Sequence, residues 1–201
     1  MSIIHNLRSL EGIKLSGDKD ERIIRDNKWV RKINDGDKSA FEAIYKCYYP
    51  QLYNFLYRYT NSEELIEDVI QDVFYNVWQN RENLEPRGTL KAYLFTAVRN
   101  QTFKKLNIEK KFDNNQNEFG DLEESGRVTP ESSYQLNELK IAYQEAVQKL
   151  PEKRRNIYLM HRQDNLTYAE IADILRISIK TVETQMSRSL KFLAIYLDKF
   201  R

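Results

Sequence analysis

The chain has 201 residues, 41% of them hydrophobic and 31% charged, which suits one mid-sized domain or two small ones with packed cores. A single cysteine, Cys47, excludes an intrachain disulfide, and the two distant histidines, His5 and His161, offer no metal-ligand spacing, so neither a metal nor a cofactor is expected. The formal net charge of +2 hides an uneven distribution: residues 81–111 carry eight basic side chains against three acidic ones, and residues 62–76 carry five acids and no base. Such alternation fits one surface for a polyanion and another for a basic protein partner, although charge runs also occur as plain solvated faces. The start, MSIIHNLRSLEGIK, lacks the apolar core of a signal peptide, and no run approaches membrane-spanning length. A soluble, cytoplasmic protein is the expectation.

Residues 1–20 are polar and mixed and read as a loosely ordered extension. Ile23, Ile24, Val30 and Ile33 are spaced for one face of a helix over 21–34. Asp35-Gly36-Asp37 interrupts it, and Asp37 can cap a second helix whose stripe is Phe41, Ile44, Tyr45 and Tyr48. Pro50 is expected to end that helix and to open another carrying Leu52, Phe55, Leu56 and Tyr59. Tyrosines at this spacing read as core rather than as platforms for stacked bases. The clearest amphipathic helix is SEELIEDVIQDVFYNVW, 62–78, capped by Asn61 or Ser62, with apolar pairs at 65/66, 69/70, 73/74 and 77/78. Its outward face presents Glu67, Asp68, Gln71 and Asp72.

A loop with Pro86 and Gly88 leads into a helix over 90–105, with Leu90, Leu94, Val98 and Phe103 on one side and Lys91, Thr96, Arg99, Asn100 and Lys104 free to point elsewhere. Residues 107–129 have no sustained period and, with three bases against six acids, read as a flexible acidic linker. Thr129-Pro130-Glu131 is a helix start, and Leu136, Leu139, Tyr143, Val147 and Leu150 keep helical spacing up to Pro151. No strand pattern survives, so the expected fold class is all-α: two small helical domains, 21–106 and 130–201, joined by that linker.

Thr167 to Glu170 has the capping-box pattern, which starts a helix sharply. Ile171, Ile174 and Leu175 form its buried side, and Ala172 is small enough for a second helix to approach. Leu175 to Ser178 make the corner, with Ser178 as the next N-cap. The second helix buries Val182, Met186, Leu190 and Leu193 and leaves Lys180, Thr181, Glu183, Thr184, Ser187 and Arg188 outside. That is the layout of a helix-turn-helix whose second helix enters the major groove. Lys and Arg can donate to guanine, Glu can accept from cytosine and Thr can meet a thymine methyl. An ordinary helical hairpin alternates in the same way. Glycine is common at such a corner and Arg176 stands there instead, so Arg176 must take a left-handed conformation or the turn must differ.

LPEKRRNIYLMHRQDNLTYAEIADILRISIKTVETQMSRSLKFL resembles the C-terminal module shared by bacterial sigma factors and LuxR-like regulators. DKSAFEAIYKCYYPQLYNFLYRYT, EDVIQDVFYNVW and TLKAYLFTAVRNQTFKKL resemble region 2 of the extracytoplasmic-function (ECF) class of sigma factors. The resemblance covers roughly residues 26–106 and 133–197 in the family's order. It implies binding of the RNA polymerase core, through the clamp helices of the largest subunit and the flap of the second, and recognition and melting of promoter DNA. Glu67, Asp68, Gln71 and Asp72 match the polymerase-binding positions. Asn80, Arg81, Lys91, Tyr93, Thr96, Arg99 and Asn100 match the −10 reading and opening positions, with Tyr93 where the family usually has tryptophan. Arg155, Lys180, Thr181, Glu183, Thr184, Ser187 and Arg188 match the −35 module, Arg155 as phosphate contact or packing support and Glu183 where relatives often carry a base.

The resemblance also implies an anti-sigma partner, often membrane-tethered, and no small-molecule substrate. With no P-loop, zinc spacing or nucleophile–base pair in the sequence, an enzyme is not expected. A linker of 23 residues averages about 25 Å as a coil and reaches ~80 Å when stretched, enough for two promoter elements ~70 Å apart only when drawn out. A helix-turn-helix regulator with a helical sensor domain, and a mimic that titrates an anti-sigma factor, are the rival readings. The regulator does not need the acidic face at 67–72, and the mimic does not need the basic, polar faces at 91–105 and 180–188.

Overall fold

Four helices fold together in the N-terminal half: α1 (Leu15–Asn34), α2 (Lys38–Leu56), α3 (Glu63–Gln79) and α4 (Leu90–Lys105). Among the described residues four more follow: α5 (Tyr134–Gln148), α6 (Glu152–Arg162), α7 (Tyr168–Leu175) and α8 (Ile179–Leu197). The computed structural model describes the backbone of residues 15–106 and 134–200 and the side chains of 19–106 and 141–199. Among the described residues there is no strand, and the helices fall into two compact units, α1–α4 in one and chiefly α5–α8 in the other. The fold is all-α. The expected linker, 107–129, and the helix start at Thr129-Pro130-Glu131 lie outside the described residues, as does most of the N-terminal extension.

In the first unit, α1 begins at Leu15, ahead of the start expected at residue 21, and Ile24, expected on its apolar face, is exposed. The leading turns, Ser16 to Asp20, are polar and carry no apolar spacing to mark them. The helix stops at Gly36, φ +83°, whose N–H bonds Ile33 O (2.8 Å) while Asp37 N–H bonds Lys32 O (2.9 Å). This pair of reversed bonds around a left-handed residue is the Schellman stop. Asp37 then caps α2 by accepting from Ser39 N (2.8 Å) and Ala40 N (3.2 Å).

Pro50 does not divide two helices, as the sequence suggested; α2 runs through it as one helix. An interior proline costs about 3 kcal/mol because it cannot bond the carbonyl four residues back. Here that carbonyl belongs to Lys46, and both Lys46 and Pro50 are on the exposed side, where water can serve it. Ile44, Tyr48, Leu52 and Phe55 form one fully buried stripe across the proline. Burial of each such side chain is worth about 1.5–3 kcal/mol, so an unbroken stripe outweighs the lost bond. The Gln51 amide adds a bond to Cys47 O (2.8 Å) next to it.

Ile66, Val69, Ile70, Val73, Phe74 and Val77 line the buried side of α3, which packs on α2 and α4. Ser62 is its cap, accepting from Leu65 N at 3.2 Å. Tyr48 is core, as its spacing implied, but it also carries a polar tie. Its hydroxyl donates to Asp26 of α1, a carboxylate only 2% exposed that Arg25 Nη2 also bonds at 2.9 Å. Burial and the Asp26 charge push the Tyr48 phenol well above its ordinary range, so it remains a donor.

In the second unit α8 packs on α5 and α6 and buries Val182, Met186, Leu190 and Leu193. The hydroxyls of Tyr143 (α5) and Tyr158 (α6) share a bond of 2.9 Å, and Arg154 Nε of α6 bonds Gln185 of α8 at 3.2 Å.

Asp26→Ala is expected to destabilise the N-terminal unit by about 2–4 kcal/mol, because it strands the buried Tyr48 hydroxyl. Asp26→Leu with Tyr48→Phe is expected to recover most of that loss. Urea titrations followed by circular dichroism check both; equal midpoints for wild type and Asp26→Ala would show the tie to be inert.

Candidate nucleic-acid and partner interfaces

Because α3 buries one side, its polar residues collect on the other. Glu67, Asp68 and Gln71 are exposed and Asp72 partly so, and the exposed ring of Tyr75 continues the same face. The face extends towards α2, where burial, followed by the charges of Glu63 and Glu67, pushes the Tyr53 phenol up. The four expected residues therefore come together. Two residues the sequence reading left out join them from α4. Lys105 forms ion pairs with Asp68 and, at 2.7 Å, with Asp72, and Gln101 donates to Asp72 at 3.1 Å. The Lys105 bond, with Gln101 helping, holds the Asp72 carboxyl below the usual aspartate range. The two carboxylates raise the Lys105 ammonium, Asp68 first. Only packing of α3 on α4 brings positions 68 and 105 together, so no local signal announces the pair.

The loop after α3 is short and held. Asn80 ends the helix, its amide donating to Asn76 O at 2.9 Å. Arg81, in the 3₁₀ turn Arg81–Asn83, is half-buried, bonds Trp78 O at 2.9 Å and lies 4.8 Å from the Trp78 ring centre. With its amide turned to satisfy both partners, Asn34 of α1 bonds Arg81 O (2.9 Å) and Val30 O (2.8 Å), and buried Leu84 anchors the following residues.

Thr89 caps α4, accepting from Ala92 N at 3.1 Å. Tyr93, Thr96 and Asn100, three and four residues apart, share a partly exposed stripe that exposed Lys104 continues. The Thr96 hydroxyl is turned to Ala92 O (2.7 Å), and the Arg99 guanidinium lies 4.7 Å from the Phe103 ring centre. Lys91 departs from expectation. It is 3% exposed, with Nζ 5.6 Å from the Phe95 ring centre, and does not share the stripe of Tyr93. The reason is its phase: Lys91 is in register with Phe95, Val98 and Thr102, all buried.

The helix-corner-helix forms as its caps imply. Thr167 N donates to the Glu170 carboxylate (2.9 Å) and Glu170 N to the Thr167 hydroxyl (3.2 Å), the reciprocal pair of a capping box. At the corner Arg176 has φ +54°, the left-handed conformation. Ile177 N–H bonds Ala172 O (3.0 Å) and Arg176 N–H bonds Asp173 O (3.3 Å), the same Schellman stop that Gly36 makes. Ser178 then caps α8, accepting from Thr181 N at 3.0 Å.

Lys180, Thr181, Glu183, Ser187 and Arg188 are exposed on α8, spanning about 12 Å of its axis. Lys180 pairs with Glu183 at 3.1 Å, and the half-buried Thr184 bonds Lys180 O (2.8 Å). Arg155 belongs to a different helix. Half-buried on α6, it binds Gln148 through its carbonyl (2.9 Å) and side chain (2.7 Å), closing the corner after α5.

These features have counterparts among known proteins. Residues 44–111 match the family described as Sigma-70 region 2, and residues 140–193 match Sigma-70, region 4. A structure of CnrH in complex with the cytosolic domain of CnrY is similar, with TM-score 0.57 and 19% identity, over 87% of this chain and 98% of that one. The sigma factor RpoE in complex with the anti-sigma factor NepR from Bartonella quintana is also similar, with TM-score 0.53 and 21% identity, over 79% of this chain and 96% of that one. No curated protein matches. The two family matches together span more than half of the sequence, in the family's order, and the chain belongs to the sigma-70 family. Members of that family are promoter-specificity subunits of RNA polymerase, which bind the polymerase core and promoter DNA.

Arg176→Gly is expected to stabilise the C-terminal unit by about 0.5–1 kcal/mol, the relief of a left-handed side chain less the extra freedom of unfolded glycine. Arg176→Val is expected to destabilise it. Thermal melts of the three proteins test this, and indistinguishable glycine and valine variants would contradict a strained corner.

Proposed function

We propose that the chain acts as an ECF-type sigma factor, with its two units dividing promoter recognition between them. The observation that carries this is the presence in one chain of both regions, each presenting polar side chains on a helix packed from behind. The α3 face of Glu67, Asp68, Gln71 and Asp72 docks on basic groups of the polymerase clamp helices. The loop around Asn80 and Arg81 and the α4 stripe of Tyr93, Thr96 and Asn100, flanked by Arg99, receive the −10 element. Unstacking a base costs a few kcal/mol, and stacking on an aromatic ring returns about 1–3. Tyr93 is the half-buried ring on that stripe able to do so.

In the C-terminal unit, Lys180, Thr181, Glu183, Thr184, Ser187 and Arg188 enter the major groove at the −35 element. Arg155 supports them indirectly by fixing α5 against α6. The polymerase supplies the catalysis. We also read an anti-sigma partner, because RpoE is seen with the anti-sigma factor NepR. Among the described residues no helix is long and apolar enough to cross a membrane, which fits work in the cytoplasm beside the polymerase.

Reconstitution with bacterial core polymerase on a fragmented genomic library is expected to yield defined start sites that depend on the chain. Specific duplex binding by the chain alone, without such transcripts, would favour a free-standing regulator. Asp68→Lys with Asp72→Lys is expected to abolish core binding with the helical signal retained. Arg188→Ala is expected to weaken −35-dependent initiation about tenfold while core affinity is unchanged, consistent with ~1–3 kcal/mol for one good base contact. Loss of core binding in Arg188→Ala would oppose the assignment.

A further inference from the structure

The acidic face of α3 is not an open set of carboxylates. Lys105, from the last turn of α4, reaches across to both Asp68 and Asp72, and its side chain is 26% exposed against 56% and 41% for the two aspartates. Gln101 bonds Asp72 independently, so that carboxylate keeps one positioning partner if the ammonium leaves. A second exposed pair, Lys46 with Glu42 on α2 (2.5 Å), involves neither aspartate. The raised Lys105 and lowered Asp72 pKa agree that both are charged across the neutral range.

We propose that Lys105 is an intramolecular competitor for the polymerase: in the free protein it occupies Asp68 and Asp72, and basic groups of the core must displace it to dock. The inference rests on the reading of the α3 face as the core-binding surface and adds its regulation. A partner that can use only the unlatched state sees an affinity reduced by the unlatched fraction. Exposed ion pairs are individually weak, so the latch yields to a multivalent basic surface and lowers affinity only several-fold. Its effect is to reject weakly basic surfaces that offer one or two charges, while a partner with several still binds.

The test is titration of fluorescently labelled full-length chain with core polymerase at two salt concentrations. Lys105→Met keeps an apolar side chain of similar length and removes the charge. It is expected to bind core about three- to tenfold more tightly than wild type, with a steeper salt dependence. Lys46→Met removes an equal charge, one paired with Glu42 and not with the aspartates, and is expected to stay within about twofold of wild type. Lys105→Gln replaces the methionine variant if circular dichroism shows that one unfolded.

Unchanged or weaker binding by Lys105→Met, or an equal gain from Lys46→Met, overturns the latch. Asp68→Asn with Asp72→Asn separates the two readings. If that double variant loses core affinity and cancels the gain from Lys105→Met, the latch is supported. If it loses affinity while Lys105→Met brings no gain, the face stands and the latch falls. If it binds core as wild type does, the reading of the face fails and takes the latch with it.

Discussion

The N-terminal unit depends on α3 being buried along one side only. Six apolar residues from Ile66 to Val77 pack against α2 and α4, and the helical period then leaves Glu67, Asp68, Gln71 and Asp72 on the opposite side. A face that is acidic, ordered and carried by a packed helix follows from this one constraint. So does the nearness of α4, whose last turn supplies Lys105 and whose partly exposed stripe carries Tyr93, Thr96 and Asn100. The surface proposed for the polymerase and the surface proposed for the −10 element are thereby two sides of one helical pair, α3 and α4.

Helix ends do the corresponding work elsewhere. The same Schellman stop closes α1 at Gly36 and α7 at Arg176, one with a residue suited to a left-handed backbone and one without. At the second site the cost, of order 1 kcal/mol, is small beside burial of Ile171, Ile174, Val182 and Met186 around the corner. Packing sets the backbone, and the arginine accepts it. Pro50 shows the same ordering of magnitudes: a local rule worth about 3 kcal/mol yields to a stripe of four fully buried side chains.

Polar groups divide by depth. Asp26 and Tyr48 are buried, so their bond matters chiefly because neither tolerates the loss of the other. Lys105 with Asp68 and Asp72, and Lys180 with Glu183, are exposed and individually weak. Weak pairs suit surfaces that must exchange an internal partner for an external one. Arg155 and Arg81 lie between these limits. Each is half-buried and bonded to a backbone carbonyl at a helix end, so each shapes a surface as well as lending charge to it.

Much of this was legible in the sequence because it is local. The caps at Asp37, Ser62, Thr167 and Ser178, the apolar pairs of α3 and the outward residues of α8 all depend on spacings of a few residues, which the helical period alone converts into faces. What tertiary structure alone decided is which of several allowed phases is buried and which distant residues meet. Leu90, Leu94 and Val98 define a plausible face of α4, yet its packing also draws in the phase of Lys91, Phe95 and Thr102 and buries a lysine expected outside. Lys105 meets Asp68 and Asp72, Asp26 meets Tyr48, and Asn34 meets Arg81 only because separate helices pack. Period and capping are properties of neighbours along the chain, whereas these meetings are set by the burial of side chains that are far apart in it.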